Sequence, residues 1–215
     1  IVSVYQQCKQ EQKLMLGFNR RFAPHIVRIK SLLSAIKHLP KCFIITVNAG
    51  EIPPNHWVQN PQVGGGRIIG EVCHFIDLMR FLADAPITGF RIQTIGQVPG
   101  VEVTSDKVTI GLNFSDGSFG SIHYLSNGGR HFPKERVEVF CNNAVLQLDN
   151  YRKLKGYNWP GFKKMNLWQQ DKGHNACVNA FLDAVTRSSE SPIPFEEIIE
   201  VSRITIEAAR EAQVK

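Results

Sequence analysis

The sequence lacks both a long hydrophobic run and a secretory leader. It contains no stretch of about 18 apolar residues, so no membrane-spanning helix is expected. Residues 1–13 have no basic start, apolar core and small-residue cleavage site, so they are not a signal peptide. The chain does not begin with methionine, and we interpret this as the loss of an upstream segment.

Cysteines are few and are not grouped. The five of them are odd in number, widely spaced and without a CxxC pair. A disulfide framework or a zinc site would need closer, paired cysteines. We therefore predict no metal site and a cytoplasmic location.

Acidic residues are scarce in one segment. The whole chain has a net charge of +6, and residues 151–173 hold six basic residues but only one acid, with tyrosine and tryptophan interleaved. Three interpretations are open: a solvated loop with inward aromatics, a site for a small anionic ligand such as a nucleotide-linked sugar, and a single-stranded nucleic-acid site. The last rests on charge and aromatics alone, so we predict no nucleic-acid partner.

Hydrophobic periodicity predicts the elements that are present. Helical spacing follows Pro24, begins near Glu71, and recurs from Asp171 and from Phe195. Alternating or β-branched runs predict six strands, and Asp-Gly at positions 116–117 predicts a hairpin turn. The fold class is therefore α+β: an open, largely antiparallel sheet of about six strands with helices on one face. Because these strands are apolar on both faces, the open face favours a homo-oligomer.

The first 18 residues predict a different unit. Residues 1–13 resemble the end of a helix, and LMLGF at 14–18 resembles a buried strand. A helix followed by a buried strand is half of a parallel α/β unit. We therefore expect residues 1–18 to be the tail of an α/β domain whose body lies upstream, and residues 19–215 to form a second domain.

The stretch GGGRIIGEVCHFID, residues 64–77, poses a choice. A dinucleotide fingerprint needs its third glycine at position 69, which is Ile69, so that interpretation is rejected. Glu71 and His74 are three residues apart, and on a helix they are neighbours. Asp77 lies three further on and can approach His74. Such a group fits general acid–base catalysis, although an ordinary helix start with an acidic first turn also explains it.

The same stretch resembles the substrate-domain signature of the glucose–fructose oxidoreductase / inositol dehydrogenase / MocA (Gfo/Idh/MocA) family. LMLGFNRRFAPH, PKERVEVFCNNAVLQLDN, QDKGHNACVNAFLDAV and SPIPFEEIIEVSRITIEAA follow in the family's order, so the resemblance covers nearly the whole chain. It is closest to the polysaccharide and sugar-nucleotide biosynthesis branch. Members of the family pair a Rossmann domain with an open-sheet domain. The resemblance therefore implies that residues 1–18 are the last helix and strand of a dinucleotide-binding Rossmann domain that is otherwise absent, and that residues 19–215 are the substrate-binding and oligomerisation domain.

The resemblance implies an enzyme that moves a hydride between NAD or NADP and a hydroxyl carbon of a sugar, sugar nucleotide or cyclitol. His74 takes the position of the family's acid/base histidine. Many members carry an aspartate four residues earlier, where this chain has Gly70, so Glu71 is the candidate substitute. The cofactor site and a catalytic lysine belong to the Rossmann domain, so the 215 residues alone should be inactive.

Further site residues follow from the same resemblance. Asn19 and Arg21 should lie near the domain cleft, where Arg21 can pair with a phosphate of the cofactor or a carboxylate. Lys134, His174 and Asp77 are expected to contact the substrate. The alternative function is a non-catalytic sugar-binding or assembly module derived from the family, which Gly70 favours.

Overall fold

The structure is a computed structural model that describes residues 2–7, 12–60 and 62–214. These described residues form five helices and three short helical turns. They are α1 (Val2–Gln7), α2 (Pro24–Ser34), α3 (Cys73–Ala83), α4 (His174–Thr186) and α5 (Phe195–Val214), with 3₁₀ turns at Asn19–Phe22 and Trp57–Gln59 and a π-helical turn at Ile68–Val72.

Eight strands form one open sheet in the order β2-β3-β4-β1-β5-β6-β7-β8. The strands are β1 (Cys42–Asn48), β2 (Ile87–Thr94), β3 (Lys107–Phe114), β4 (Phe119–Leu125), β5 (Glu135–Cys141), β6 (Ala144–Asp149), β7 (Lys153–Tyr157) and β8 (Lys164–Asn166). All neighbours are antiparallel except β1 and β4, which run parallel. β1 and β4 therefore end at the same edge of the sheet.

The sheet follows from period-two alternation. In β3 the side chains of Val108, Ile110, Leu112 and Phe114 are all buried, while the residues between them are not. The helices cover this apolar face: Pro24 starts α2 at a position where its missing N–H costs nothing, and α3 and α5 pack on each other and on the sheet. One hydrophobic core results.

The opposite face is left open and carries an apolar row. The pairing register places Phe119, Cys42, Phe140, Val145 and Tyr157 side by side across five strands. Phe119 is 55%, Phe140 38% and Tyr157 47% exposed. We call these five residues the open-face row.

The α+β architecture with an open, mostly antiparallel sheet and helices on one face is confirmed. The predicted strand count of about six is too low, because β7 and β8 are short, rich in lysine and lack hydrophobic alternation. The predicted strand at residues 14–18 is not formed: this segment is irregular, and its Leu14 carbonyl accepts from the Ser191 hydroxyl instead of a neighbouring strand. The predicted helix over residues 1–13 is present only at Val2–Gln7, and residues 1 and 8–11 lie outside the described residues.

Among the described helices, none combines the length and the apolar character that crossing a bilayer would require.

Candidate active site

The candidate site lies where the parallel strands β1 and β4 end. Two loops meet there, residues 49–66 after β1 and residues 126–134 after β4. Asn48, the last residue of β1, donates from Nδ2 to the carbonyls of Gly129 at 2.9 Å and Phe132 at 3.2 Å. Arg67 donates from Nη1 to the Gly50 carbonyl at 2.6 Å. Both loops are therefore fixed to the sheet edge, beside the start of α3.

Glu71 lies in the π-helical turn before α3 and is the centre of a charged cluster. Its Oε2 accepts a hydrogen bond from the Tyr124 hydroxyl at 2.5 Å and from Arg67 Nη2 at 3.1 Å. Its Oε1 lies 3.1 Å from Lys134 Nζ. Burial alone would raise the pKa of Glu71, but the Tyr124 hydrogen bond and the Lys134 charge outweigh it and lower that pKa to about 2. Glu71 is therefore ionised at neutral pH.

His74 lies in the first turn of α3 and is partly buried. Its Nδ1 is buried and has no hydrogen-bond partner among the described residues. The ring meets Phe18 edge-on, with ring centroids 5.9 Å apart. Burial lowers the pKa of His74 to about 4; the Arg20 charge adds to this effect, and Glu71 partly opposes it. The imidazole is therefore neutral at neutral pH and able to accept a proton.

A second charged cluster lies deeper, around Glu135 at the start of β5. Arg20 donates from Nε to Oε2 at 3.0 Å and from Nη2 to Oε1 at 3.1 Å, and Lys172 Nζ lies 2.5 Å from Oε1. The Arg20 guanidinium also stacks over Phe75, at 4.3 Å from its ring centroid. Both Arg20 and Glu135 act electrostatically on His74. The two clusters thus surround the imidazole with fixed charges of both signs.

The predicted residues Asn19, Arg21 and Asp77 are buried in the core. Both Asp77 oxygens accept from Arg21, whose Nη1 also donates to Glu197 at 3.0 Å. The Asn19 amide donates to the Lys172 carbonyl at 2.7 Å. These groups have protein partners already, which argues against the predicted cofactor contact of Arg21 and the approach of Asp77 to His74. They hold α3, α5 and the Asn19–Phe22 turn together.

Lys134 and His174, for which substrate contact is predicted, are both accessible to solvent. The Lys134 side chain is 43% exposed beyond its contact with Glu71. His174 is exposed at the start of α4, and its charge acts on His74. The structure therefore brings Glu71, His74, Lys134 and His174 to one region, although Glu71 bonds to Tyr124, Arg67 and Lys134 and not to His74.

Sequence reasoning missed Arg20, Arg67, Tyr124 and Glu135. Arg67 had a local signal, since it precedes Glu71 by four residues, the spacing of a helical ion pair. The other three come from distant elements and carry none. Within the described residues, no three His, Cys, Asp or Glu side chains are placed to share a metal ion.

Comparison with known proteins places this site in a family. Residues 42–147 match the model of the GFO/IDH/MocA C-terminal domain. These residues therefore match a domain of the GFO/IDH/MocA family, and an inositol 2-dehydrogenase and a MocA protein are among the curated relatives. Inositol 2-dehydrogenase of Rhizobium meliloti (strain 1021) is 23% identical over 83% of the chain, and the uncharacterized oxidoreductase YrbE of Bacillus subtilis (strain 168) is 30% identical over 65% of it.

The same fold is found in solved structures. A levoglucosan dehydrogenase, in complex with NADH and levoglucosan, superposes with a TM-score of 0.78 at 17% identity, over 95% of the chain and 65% of that protein. The chain covers 56% of the inositol 2-dehydrogenase and 41% of YrbE, so it spans about half the length of these curated GFO/IDH/MocA relatives.

Proposed function

We propose that this chain is the substrate-binding domain of an NAD- or NADP-dependent oxidoreductase that acts on a hydroxyl carbon of a sugar, sugar nucleotide or cyclitol. The observation that carries the proposal is the partly exposed His74 imidazole, which is neutral and lies among ionised groups. Its Nδ1 is buried, so Nε2 is the ring nitrogen offered to a substrate. A general base needs such a proton-accepting atom within reach of a substrate hydroxyl. The relatives' names, which include inositol and levoglucosan as substrates, support this substrate class.

In this proposal, His74 takes the hydroxyl proton as the carbon–oxygen bond becomes a carbonyl. The bound nicotinamide supplies the acceptor for the hydride that leaves the same carbon. Lys134 Nζ, held by Glu71 Oε1 at 3.1 Å, donates to a substrate oxygen. Glu71 stays ionised and keeps the ammonium in place, so its role is to position Lys134 and to complete the charge balance around His74.

A dinucleotide-binding domain completes the enzyme, and residues 1–18 are its last part. Apolar surface without cover supports this proposal. On α4 the exposed side chains Val178, Leu182 and Val185 are spaced along one face of the helix. Leu14 and Leu16 line a second apolar groove against α5. Surfaces of this kind mark protein contacts, and the nicotinamide is held mainly by that other domain.

The open face of the sheet is the proposed contact between copies of the chain. The open-face row leaves Phe119, Phe140 and Tyr157 exposed to solvent on one face. Exposed apolar surface of this kind marks interaction sites, and the commonest oligomer, the C₂ dimer, joins the same surface of both subunits. The partners are thus a sugar-type substrate and a second copy.

One observation favours a second candidate, a non-catalytic sugar-binding module. The family's aspartate position is Gly70, and the nearest carboxylate, Glu71, bonds to Tyr124, Arg67 and Lys134. No carboxylate among the described residues bonds the His74 ring.

The test uses the natural protein with its dinucleotide-binding domain, myo-inositol and levoglucosan as substrates, and NAD and NADP in turn. We expect His74→Ala to lower turnover by roughly 10²–10⁴-fold. His38→Ala is the matched control, because His38 is exposed before β1, at the end of the strand away from the site. An unchanged turnover in His74→Ala would remove the acid/base role. Sugar binding without any hydride transfer would favour the second candidate. The 215 residues alone are expected not to turn over.

A further inference from the structure

A pocket of 620 Å³ adjoins the His74 region and is not used by the proposed acid–base chemistry. It is formed by the segment that joins β8 to α4. Its lining residues are Leu167, Trp168, Gln169, Gln170, Asp171, Lys172, His174 and Asn175. Lys172 reaches the Glu135 cluster and His174 acts on His74, so the pocket continues from the candidate active site.

The most unusual member of this pocket is Trp168, which is 90% exposed. Its backbone is nevertheless fixed. The Trp168 carbonyl accepts from Arg152 Nη2 at 3.0 Å, and the neighbouring Leu167 N–H donates to the Arg152 carbonyl at 2.9 Å. Gln170 Nε2 donates to the Asn150 carbonyl at 2.8 Å. The indole is therefore displayed from an anchored segment, which is the arrangement of a preorganised contact surface.

The other end of the segment is clamped as well. Asn19 Nδ2 donates to the Lys172 carbonyl at 2.7 Å, and Asp171 Oδ1 accepts from the Gly173 N–H at 2.7 Å. Gly173 has φ +81°, and a Cβ there would lie 2.4 Å from the Ala23 nitrogen. The pocket wall is thus packed directly on the Asn19–Phe22 turn, close to the base of the site.

The chemistry of the lining selects a class of ligand. A flat indole face carries negative π density, on which the partly positive C–H groups of a pyranose ring stack. The amides of Gln169 and Asn175 provide donors and acceptors for hydroxyl groups, and Gln170, whose Nε2 is bonded to Asn150, provides its Oε1 as an acceptor. Charge disfavours a phosphate: the Lys172 ammonium is already paired with Glu135, and the Asp171 carboxylate faces the same pocket.

We propose that this pocket is a saccharide subsite in which Trp168 stacks on a neutral glycosyl ring. This ring is linked to the ring whose hydroxyl meets His74, so the substrate is a glycoside or disaccharide and not a free monosaccharide. The placement of the linked ring at His74 rests on the proposed function, whereas the binding of a glycosyl ring in the pocket does not.

The experiment is a ligand-observed NMR titration of the natural protein, without nicotinamide cofactor, using maltose, cellobiose and lactose as probes. Glucose, uridine diphosphate and NADH are titrated in parallel. The variants are Trp168→Ala and Trp168→Phe, with Trp57→Ala as the matched control because Trp57 is also exposed, at 61%, but lies outside the pocket. We expect a disaccharide to bind more tightly than glucose, and Trp168→Ala to weaken it by about tenfold or more. Trp168→Phe should retain most of the affinity, and Trp57→Ala all of it.

Several results would overturn the subsite. One is that no disaccharide binds, and another is that a disaccharide binds Trp168→Ala and Trp57→Ala with equal affinity. A third is that uridine diphosphate is the only ligand whose binding depends on Trp168. The fourth is that Trp168→Ala loses NADH binding, which would make the indole a cofactor contact. Failure here is separable from failure of the proposed function. If turnover depends on His74 but saccharide affinity is unchanged in Trp168→Ala, only the subsite is wrong. If saccharide binding depends on Trp168 but no hydride is transferred, only the proposed oxidoreductase activity is wrong.

Discussion

His74 lies between charges of both signs, and their balance fixes its protonation. Burial and the Arg20 guanidinium disfavour the imidazolium, and Glu71 and Glu135 favour it. The balance leaves the pKa of His74 at about 4. A base prepared in this way is unprotonated throughout the physiological range, so in the proposed reaction it takes its proton from the substrate hydroxyl as the carbonyl forms.

The pH dependence of His74 is the first prediction. Its pKa falls from 6.5 when unfolded to about 4 when folded, so the unfolded state binds the proton more tightly. Stability from this group is full above pH 6.5 and is lost as pH falls toward 4. An NMR titration should place the His74 midpoint near 4. As the pH falls from 6.5 to about 4, the His74→Gln variant should therefore lose less stability than the parent protein.

The matched measurement is a urea unfolding series at several pH values, with His38→Gln as control, because His38 is exposed at the far end of β1. A His74 midpoint at the ordinary value, or equal pH slopes for His74→Gln and the parent, would contradict the charge balance described for the site.

Sequence spacing placed His74 and Glu71 in one region because both lie on a single helical stretch. It could not show that Glu71 turns toward Tyr124, since that contact joins the π-helical turn before α3 to a strand more than fifty residues later. Arg20 and Glu135 likewise meet only after folding. Arg21 looked like a ligand contact because an arginine at a strand exit is a common phosphate binder, but burial against Asp77 uses its donors internally.

The segment before α4 packs its backbone closely against the Asn19–Phe22 turn, near the candidate site. Gly173 precedes α4 in a left-handed conformation and touches the Asn19–Phe22 turn. The sequence pattern predicts a helix from Asp171, yet the helix begins at His174, because this contact and the hydrogen bond from the Gly173 N–H to Asp171 Oδ1 shape the entry. Strong periodicity found the long helices and strands, while β7, β8 and the π-helical turn have no periodicity to detect.

Gly173→Ala provides the second prediction. The new methyl group would lie 2.4 Å from the Ala23 nitrogen, and φ is +81°. We expect a loss of more than about 2 kcal/mol, because clash and backbone strain add. Gly161→Ala is the matched control, since Gly161 has φ +70° but nothing within 4 Å, and it should cost only about 1 kcal/mol of strain.

Chemical denaturation of both variants measures the difference. Equal losses of stability in the two glycine variants would contradict the close contact between Gly173 and the Asn19–Phe22 turn. Because the same entry forms one wall of the Trp168 pocket, Gly173→Ala should also disturb saccharide binding, whereas Gly161→Ala should leave it unchanged.

At the scale of the whole molecule, two of the uncovered apolar surfaces within the described residues are the open face of the sheet and one face of α4. The sequence indicated one of them, because strands such as β1 and β4 are apolar on both faces, and an open sheet face follows from that pattern. The other, on α4, was not visible: its spacing is that of any core-facing helix, and only the packing shows that Val178, Leu182 and Val185 remain in solvent. The hydrophobic periodicity of a sequence shows which side chains share a face of a helix or strand, but it does not show whether another element packs on that face.

The open-face row yields the last prediction. Phe140 is near the middle of the sheet, paired with Cys42 on one side and Val145 on the other, and is 38% exposed. A glutamate there would set two carboxylates against each other across a two-fold axis that relates apolar rows. We expect Phe140→Glu to convert a dimer or larger assembly to monomer, read as molar mass in sedimentation velocity.

Val98→Glu is the control, because Val98 is 55% exposed in the connection between β2 and β3, away from the row. It adds the same charge and should leave the assembly intact. A monomeric parent protein, or an assembly that survives Phe140→Glu, would show that copies do not meet through this face. If Phe140→Glu dissociates the assembly and Val98→Glu does not, the open face is the contact between copies. The effect then comes from loss of apolar contact in the open-face row and not from the added net charge.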